Sequence, residues 1–89
     1  MVYNVSYDLY DPGQKYDKLH ELIVAVSNNR WSHPLKSTYI IQSNKTSEQI
    51  HNYLSAALDS NDLILITEIN YNYYGTLDKK HWPYIKGLF

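Results

Sequence analysis

The residues best placed to do chemistry lie on the first apolar stretch. Residues 2 to 9 read Val-Tyr-Asn-Val-Ser-Tyr-Asp-Leu. Tyr3, Val5, Tyr7 and Leu9 alternate with Asn4, Ser6 and Asp8, the pattern of a strand with one face buried and the other wet or occupied. The polar set is small, able to hydrogen-bond, and ends in a carboxylate. Asp8 stands where the strand leaves the sheet, just before Asp11-Pro12-Gly13. A carboxylate there can help hold a hard cation such as Mg²⁺, which could generate or orient a nucleophilic water. It can equally accept backbone hydrogen bonds and organise the turn. One carboxylate per chain with no evident base is a thin active site, so the residues favour binding over catalysis.

The other reactive side chains are scattered. His20, His33, His51 and His81 show no metal-ligand spacing. His20 and His51 sit among polar neighbours in helical stretches and are expected to face solvent. His33, before Pro34, falls in an edge arm and could contact a ligand. Ser6 has no histidine spaced to make a triad, and the isolated Gly13, Gly75 and Gly87 form no phosphate loop. Arg30-Trp31 and the tyrosines at 71, 73 and 74 could stack on bases, although Trp31 also suits a core or an interface. Ten tyrosines against one phenylalanine suit a small core with wet margins, or a surface that stacks on a partner.

Bulk properties narrow the choice. A chain of 89 residues is one domain, 1–89, burying roughly 60–65% of its unfolded surface. That margin is small, and oligomerisation would help. The net charge of −1 is not the basic balance of a protein that relies on phosphate neutralisation, although a local patch can differ from the whole. With no cysteine, disulfides and thiolate metal sites are excluded. No apolar run has the length of a membrane span and no secretory signal opens the chain, which points to the cytoplasm.

The elements that must position these residues follow from periodicity. Asp11, Pro12 and Gln14 read as a helix start with a capping box. Tyr16, Leu19, Leu22, Ile23 and Val26 then form a helical stripe that ends at Ser27-Asn28-Asn29. Pro34 makes residues 30 to 35 an edge strand or irregular arm, and a bend at 35 to 37 leads into a strand over 38 to 42. Thr46 with Gln49 is a second capping box, followed by the stripe Ile50, Tyr53, Leu54, Ala57 and Leu58. Residues 63 to 70 form the last long strand. Its run Leu63-Ile64-Leu65-Ile66 is apolar on both sides, which predicts a central or doubly covered strand. Residues 71 to 75 could extend it or form a short extra strand. Residues 78 to 82 could make a helical turn that Pro83 limits. The order βαββαβ predicts a ferredoxin-like α+β fold: a four-stranded antiparallel sheet with both long helices on one face and a short C-terminal extension. Asn4, Ser6 and Asp8 then face the open side, a natural place for a second subunit or a ligand.

Three stretches carry a resemblance: Tyr7-Asp8-Leu9 closing the first strand, Leu35-Lys36-Ser37-Thr38-Tyr39, and Asp59-Ser60-Asn61-Asp62 leading into Leu63-Ile64-Leu65-Ile66. In this order and spacing the chain resembles SinR-like small proteins. Their wider superfamily includes the CRISPR-associated ferredoxin-fold integration subunit and the virulence-associated protein D toxins. The resemblance implies a homodimer in which residues 71 to 75 add to the partner's sheet. It also implies that, in a nuclease member, Asp8 from each subunit would help hold Mg²⁺ near the two-fold axis. The chain departs from many members in having only Lys15 and Lys18 after the first strand, where others carry a basic run. That departure argues against double-stranded DNA as the ligand.

The combined expectation is a homodimeric ferredoxin-like module that binds a nucleotide or nucleic acid without cutting it. The residues expected at the ligand are Asn4, Ser6, Tyr10, Trp31, Ser37 and Tyr73. The alternatives are an Mg²⁺-dependent endonuclease using Asp8 from both subunits, and a sequestering or protein-interaction module that captures a small nucleotide signal.

Overall fold

The computed structural model describes every residue except Pro12 and the side chain of Gln14. The elements run β1 (Val2–Asp8), α1 (Gly13–Val26), β2 (Trp31–Leu35), β3 (Thr38–Gln42), α2 (Ser47–Leu54), β4 (Leu63–Ile69) and α3 (His81–Leu88), with a 3₁₀ turn at Ser55–Ala57. The four strands form one antiparallel sheet in the order β2-β3-β1-β4. This is the expected ferredoxin-like βαββαβ arrangement, extended by a C-terminal helix.

The alternation of β1 divides the molecule. Tyr3, Val5 and Tyr7 are buried with Leu19, Ile23 and Val26 of α1 and with Ile50 and Leu54 of α2. Both helices therefore cover the face to which the odd residues of β1 point. The second capping box forms as read: Thr46 accepts from the Gln49 N–H while the Gln49 side chain accepts from the Thr46 N–H. The capping roles assigned to Pro12 and Gln14 fall outside the described residues.

The opposite face is only half open. Val2, Ile40, Ile85 and Leu88 make a second buried cluster, with Ile69, Tyr73, Leu77 and Phe89 packed around it. The chain after β4 thus folds back and lays α3 over β2 and β3. Residues 71 to 75 form no strand; Tyr73 stacks on Phe89 at 5.5 Å and on Trp82 at 6.3 Å. Pro83 does not stop the helix. It is the third residue after the N-cap Lys80, within the first turn, where a missing N–H breaks no intrahelical bond.

The doubly apolar run of β4 does not make that strand central. It pairs with β1 alone and is an edge. Ile64 and Ile66 are half-buried against the helix-side core, whereas Leu63 and Leu65 are 65% and 64% exposed on the other face. The surplus apolar residues are surface, next to the part of the sheet that α3 leaves bare. One register row there runs Leu35, Thr38, Ser6, Leu65 across all four strands, with Leu35 itself 53% exposed. No described helix is long and apolar enough to cross a membrane.

Candidate functional site

The sequence-derived candidates separate into three places. Asn4 and Ser6 lie on the half-open face. Ser6 Oγ donates to Asn4 Oδ1 at 2.6 Å and lies 3.3 Å from Thr38 Oγ1, so these polar groups satisfy one another. Asn4 and Tyr73 do come together, lining a groove of about 300 Å³ with Trp82 and Ile85, but that lining carries no charged side chain. Tyr10, 77% exposed, is held by its backbone, whose N–H donates to Asp62 at 2.9 Å. Ser37 lies in the β2–β3 turn and accepts the Tyr7 N–H through its carbonyl.

Asp8 is exposed at the end of β1, opposite Leu63 in the register, and the shallow hollow beside it is lined by Leu63, Ile64 and Leu65. Among the described residues no group of three His, Asp or Glu side chains is placed to hold a metal ion.

The carboxylates of Asp59 and Asp62 have structural partners. Lys15 Nζ bridges Asp59 and Asp62. The Asp59 carboxyl is held below its ordinary range by the Lys15 ammonium and the Asn61 N–H, and that of Asp62 by the N–H groups of Asp59 and Tyr10. The acidic turn before β4 thus ties the ends of β1 and β4 together.

Trp31 belongs to a different corner, and here the structure adds residues that the sequence did not single out. Helix α1 ends in consecutive left-handed residues, Asn28 (φ 50°) and Asn29 (φ 63°). Asparagine adopts this conformation more readily than most side chains because its short amide can bond locally. The Asn29 N–H closes the helix on the Val24 carbonyl at 2.9 Å. That stop delivers Asn29 Oδ1 to the indole N–H of Trp31 at 3.2 Å and so fixes the ring. Trp31 meets His20 edge-on at 5.0 Å, and His33 stacks on Tyr39 at 4.0 Å. His20 does not simply face water, as its helical position had suggested. Its Nδ1 lies 2.7 Å from the Tyr39 hydroxyl. Burial pushes the Tyr39 and Tyr7 phenols up, which keeps both neutral, and Tyr7 donates to the Lys36 carbonyl at 3.2 Å.

On the other side of β2, Ser32 Oγ lies 3.1 Å from His81 Nδ1 at the start of α3. Between the β2 edge and α3 opens a cavity of about 350 Å³, whose walls include Trp31, His33, Lys80, His81 and Tyr84 and no carboxylate. A second cavity of about 350 Å³ adjoins it through the shared Asn29 and Tyr84 and adds Arg30. Arg30 Nη2 donates to the Gly87 carbonyl at 2.7 Å, which anchors the guanidinium with most of its donors free. The nearest acid in sequence, Asp78, accepts the Lys80 backbone N–H at 3.3 Å and is not part of either wall. The corner therefore offers fixed aromatic planes and cations without an opposing charge. Volumes of this size lie at the lower end of the roughly 300–1,000 Å³ of small-molecule sites.

Lys80, His81 and Tyr84 were missed because Ser32 and His81 are 49 positions apart. The only sequence signal was the short basic run Lys79-Lys80-His81 beside a tryptophan. Comparison of the chain with protein-family models, curated proteins and solved structures finds no match.

Proposed function

We propose that the protein is a homodimeric binding module that holds a nucleotide or nucleic acid at the β2–α3 corner without cutting it. The observation that carries this reading is the acid-free lining that brings Trp31 together with Lys80 and His81, in a chain whose net charge is −1. A base needs a planar apolar surface and a phosphate needs cationic donors, and this corner provides both within one small cavity. Lys15, by contrast, is taken up by Asp59 and Asp62. Binding is favoured over cleavage because the cation-rich corner and the single strand-end carboxylate of Asp8 lie at opposite ends of β1 and beside opposite edges of the sheet.

The second copy is assigned to the bare half of the sheet face. Exposed Leu35, Leu63 and Leu65 adjoin uncharged Ser6 and Thr38 there, an apolar surface that a symmetric pairing would bury. The likeness to SinR-like proteins enters this reading through the dimer it implies. The binding claim is tested by titrating fluorescently labelled single-stranded oligonucleotide and free mononucleotides against wild type and Trp31→Phe. Binding that weakens in the variant supports the reading. Absence of binding by wild type, or equal binding by both proteins, would count against it.

A further inference from the structure

The two cavities at the β2–α3 corner adjoin along Asn29 and Tyr84, and the geometry points to an occupant longer than a mononucleotide. We infer that the groove takes two consecutive nucleotides of a single strand, with Lys80 at one phosphate and Arg30 at the next. The inference rests on the nucleotide-binding reading above and specifies what that site accepts.

Three observations carry it. First, the cavities are of equal size, about 350 Å³ each, and Asn29 and Tyr84 line both. A ligand in one chamber therefore meets the wall of the other. Second, each chamber has one permanent cation of its own, Lys80 in the first and Arg30 in the second, and neither lining includes a carboxylate. Neither cation makes a salt bridge among the described residues. Arg30 is held by a neutral carbonyl, which restricts its motion while leaving its charge uncompensated; a guanidinium so placed suits the forked geometry of phosphate oxygens. Third, the aromatic groups are spaced along the same groove. Trp31 is fixed by Asn29 in the first chamber, and Tyr84, 65% exposed, stands where the chambers meet. Two aromatic side chains, one in the first chamber and one at the junction, lie between and beside the two cations, an arrangement that suits the base–phosphate alternation of a single strand. A duplex does not fit this arrangement, because its bases are already stacked and paired while the aromatic planes here need an exposed base face.

The test compares a mononucleotide, a 5′-phosphorylated dinucleotide and a single-stranded decamer, each titrated at several salt concentrations. The dinucleotide is expected to bind about 5- to 150-fold more tightly than the mononucleotide, the gain of one stacked base. For the decamer, two neutralised phosphates give a slope of log affinity against log salt of about −1.4. Arg30→Gln and Lys80→Gln should each bring that slope to about −0.7. Arg30→Lys, which keeps the charge, should leave it near the wild-type value. Should Arg30→Gln loosen α3 through its lost bond to Gly87, Lys80→Gln reads the same quantity from an exposed position. A dinucleotide that binds no better than the mononucleotide, or slopes unchanged in both glutamine variants, would overturn the two-nucleotide site. If the mononucleotide still bound in a Trp31-dependent way, the single-nucleotide reading would stand. No binding by any of the three ligands would overturn both.

Discussion

Both margins of the sheet are antiparallel edge strands, and they end up with opposite surfaces. At the β2 margin α3 folds over the strand, Pro34 and a register shift between Ser32 and Leu35 interrupt the ladder, and the exposed groups around its first residues are cations and aromatic rings, with Leu35 exposed at its end. At the β4 margin no described element covers the face opposite α1 and α2, and the exposed large apolar groups there are Leu63 and Leu65. An uncovered apolar edge invites another chain, whereas a proline, a bulge or a covering helix blunts that tendency. On the function proposed above, the contrast would give the two sides different work: a charged or aromatic ligand at β2 and a second copy of the chain beside β4.

Two leucines of equal size test this division most sharply. Leu54, fully buried between α2 and the sheet, should cost about 2–5 kcal/mol when changed to Ala, because the cavity cannot fully collapse. Leu65→Ala, measured by the same urea titration at a concentration where the protein is monomeric, should stay within about 0.5 kcal/mol. Equal losses would remove the distinction between core and exposed face. In assembly the order reverses. Leu65→Lys places like charges across a symmetric contact, a juxtaposition that costs several kcal/mol. Light scattering should then fall from twice 10.5 kDa to 10.5 kDa while the circular dichroism spectrum is unchanged. A wild type that already scatters as a monomer at micromolar concentration would refute the dimer.

At the β2 margin, Trp31→Ala should weaken nucleotide binding by the ~1–3 kcal/mol of one stacked base, Trp31→Phe, which keeps a smaller ring, by less, while Leu63→Ala leaves it unchanged. A smaller effect is expected from pH. The carboxyls of Asp59 and Asp62 are lowered in the folded chain, so on acidification the unfolded chain takes up protons first. Their contribution is present at neutral pH and is lost as pH falls through and below the ordinary carboxylate range. Asp62→Asn should flatten the acid limb of a plot of Tm against pH. The same limb in wild type and variant would mean that the turn does not tie β1 to β4. The smallest change is expected at Asp8. Asp8→Asn should leave nucleotide affinity at the β2 corner as it is, and neither protein should cleave RNA or DNA when Mg²⁺ is added. Cleavage by wild type that disappears in Asp8→Asn would promote the nuclease reading.

How much of this was legible in the sequence depends on the range of the interaction. The strict alternation of β1, the β-branched run of β3 and the Thr46–Gln49 capping box are local, and the structure bears out each. The sheet order followed from the order of elements. The edge position of β4 was misread because an apolar run reports only that both faces avoid charge, and an uncovered face can satisfy that as well as a buried one. The fold-back of α3 was not legible either. It depends on Ile85 and Leu88 meeting Val2 and Ile40, contacts that span nearly the whole chain. The candidate site suffered most. Trp31 was read from its type, but its partners Lys80, His81 and Tyr84 reach it only through that fold-back.

The central claim, that ligand binds at the β2–α3 corner and not on the strand-end face, is tested most directly by an NMR titration of isotope-labelled protein with a 5′-phosphorylated dinucleotide. The account predicts that the Trp31 indole resonance and the amides of Asn29, Arg30, Lys80 and His81 shift together and saturably, while Ser6, Asp8, Leu63 and Leu65 do not move. Shifts gathered at Asn4, Ser6 and Asp8, with the Trp31 indole unaffected, would contradict it.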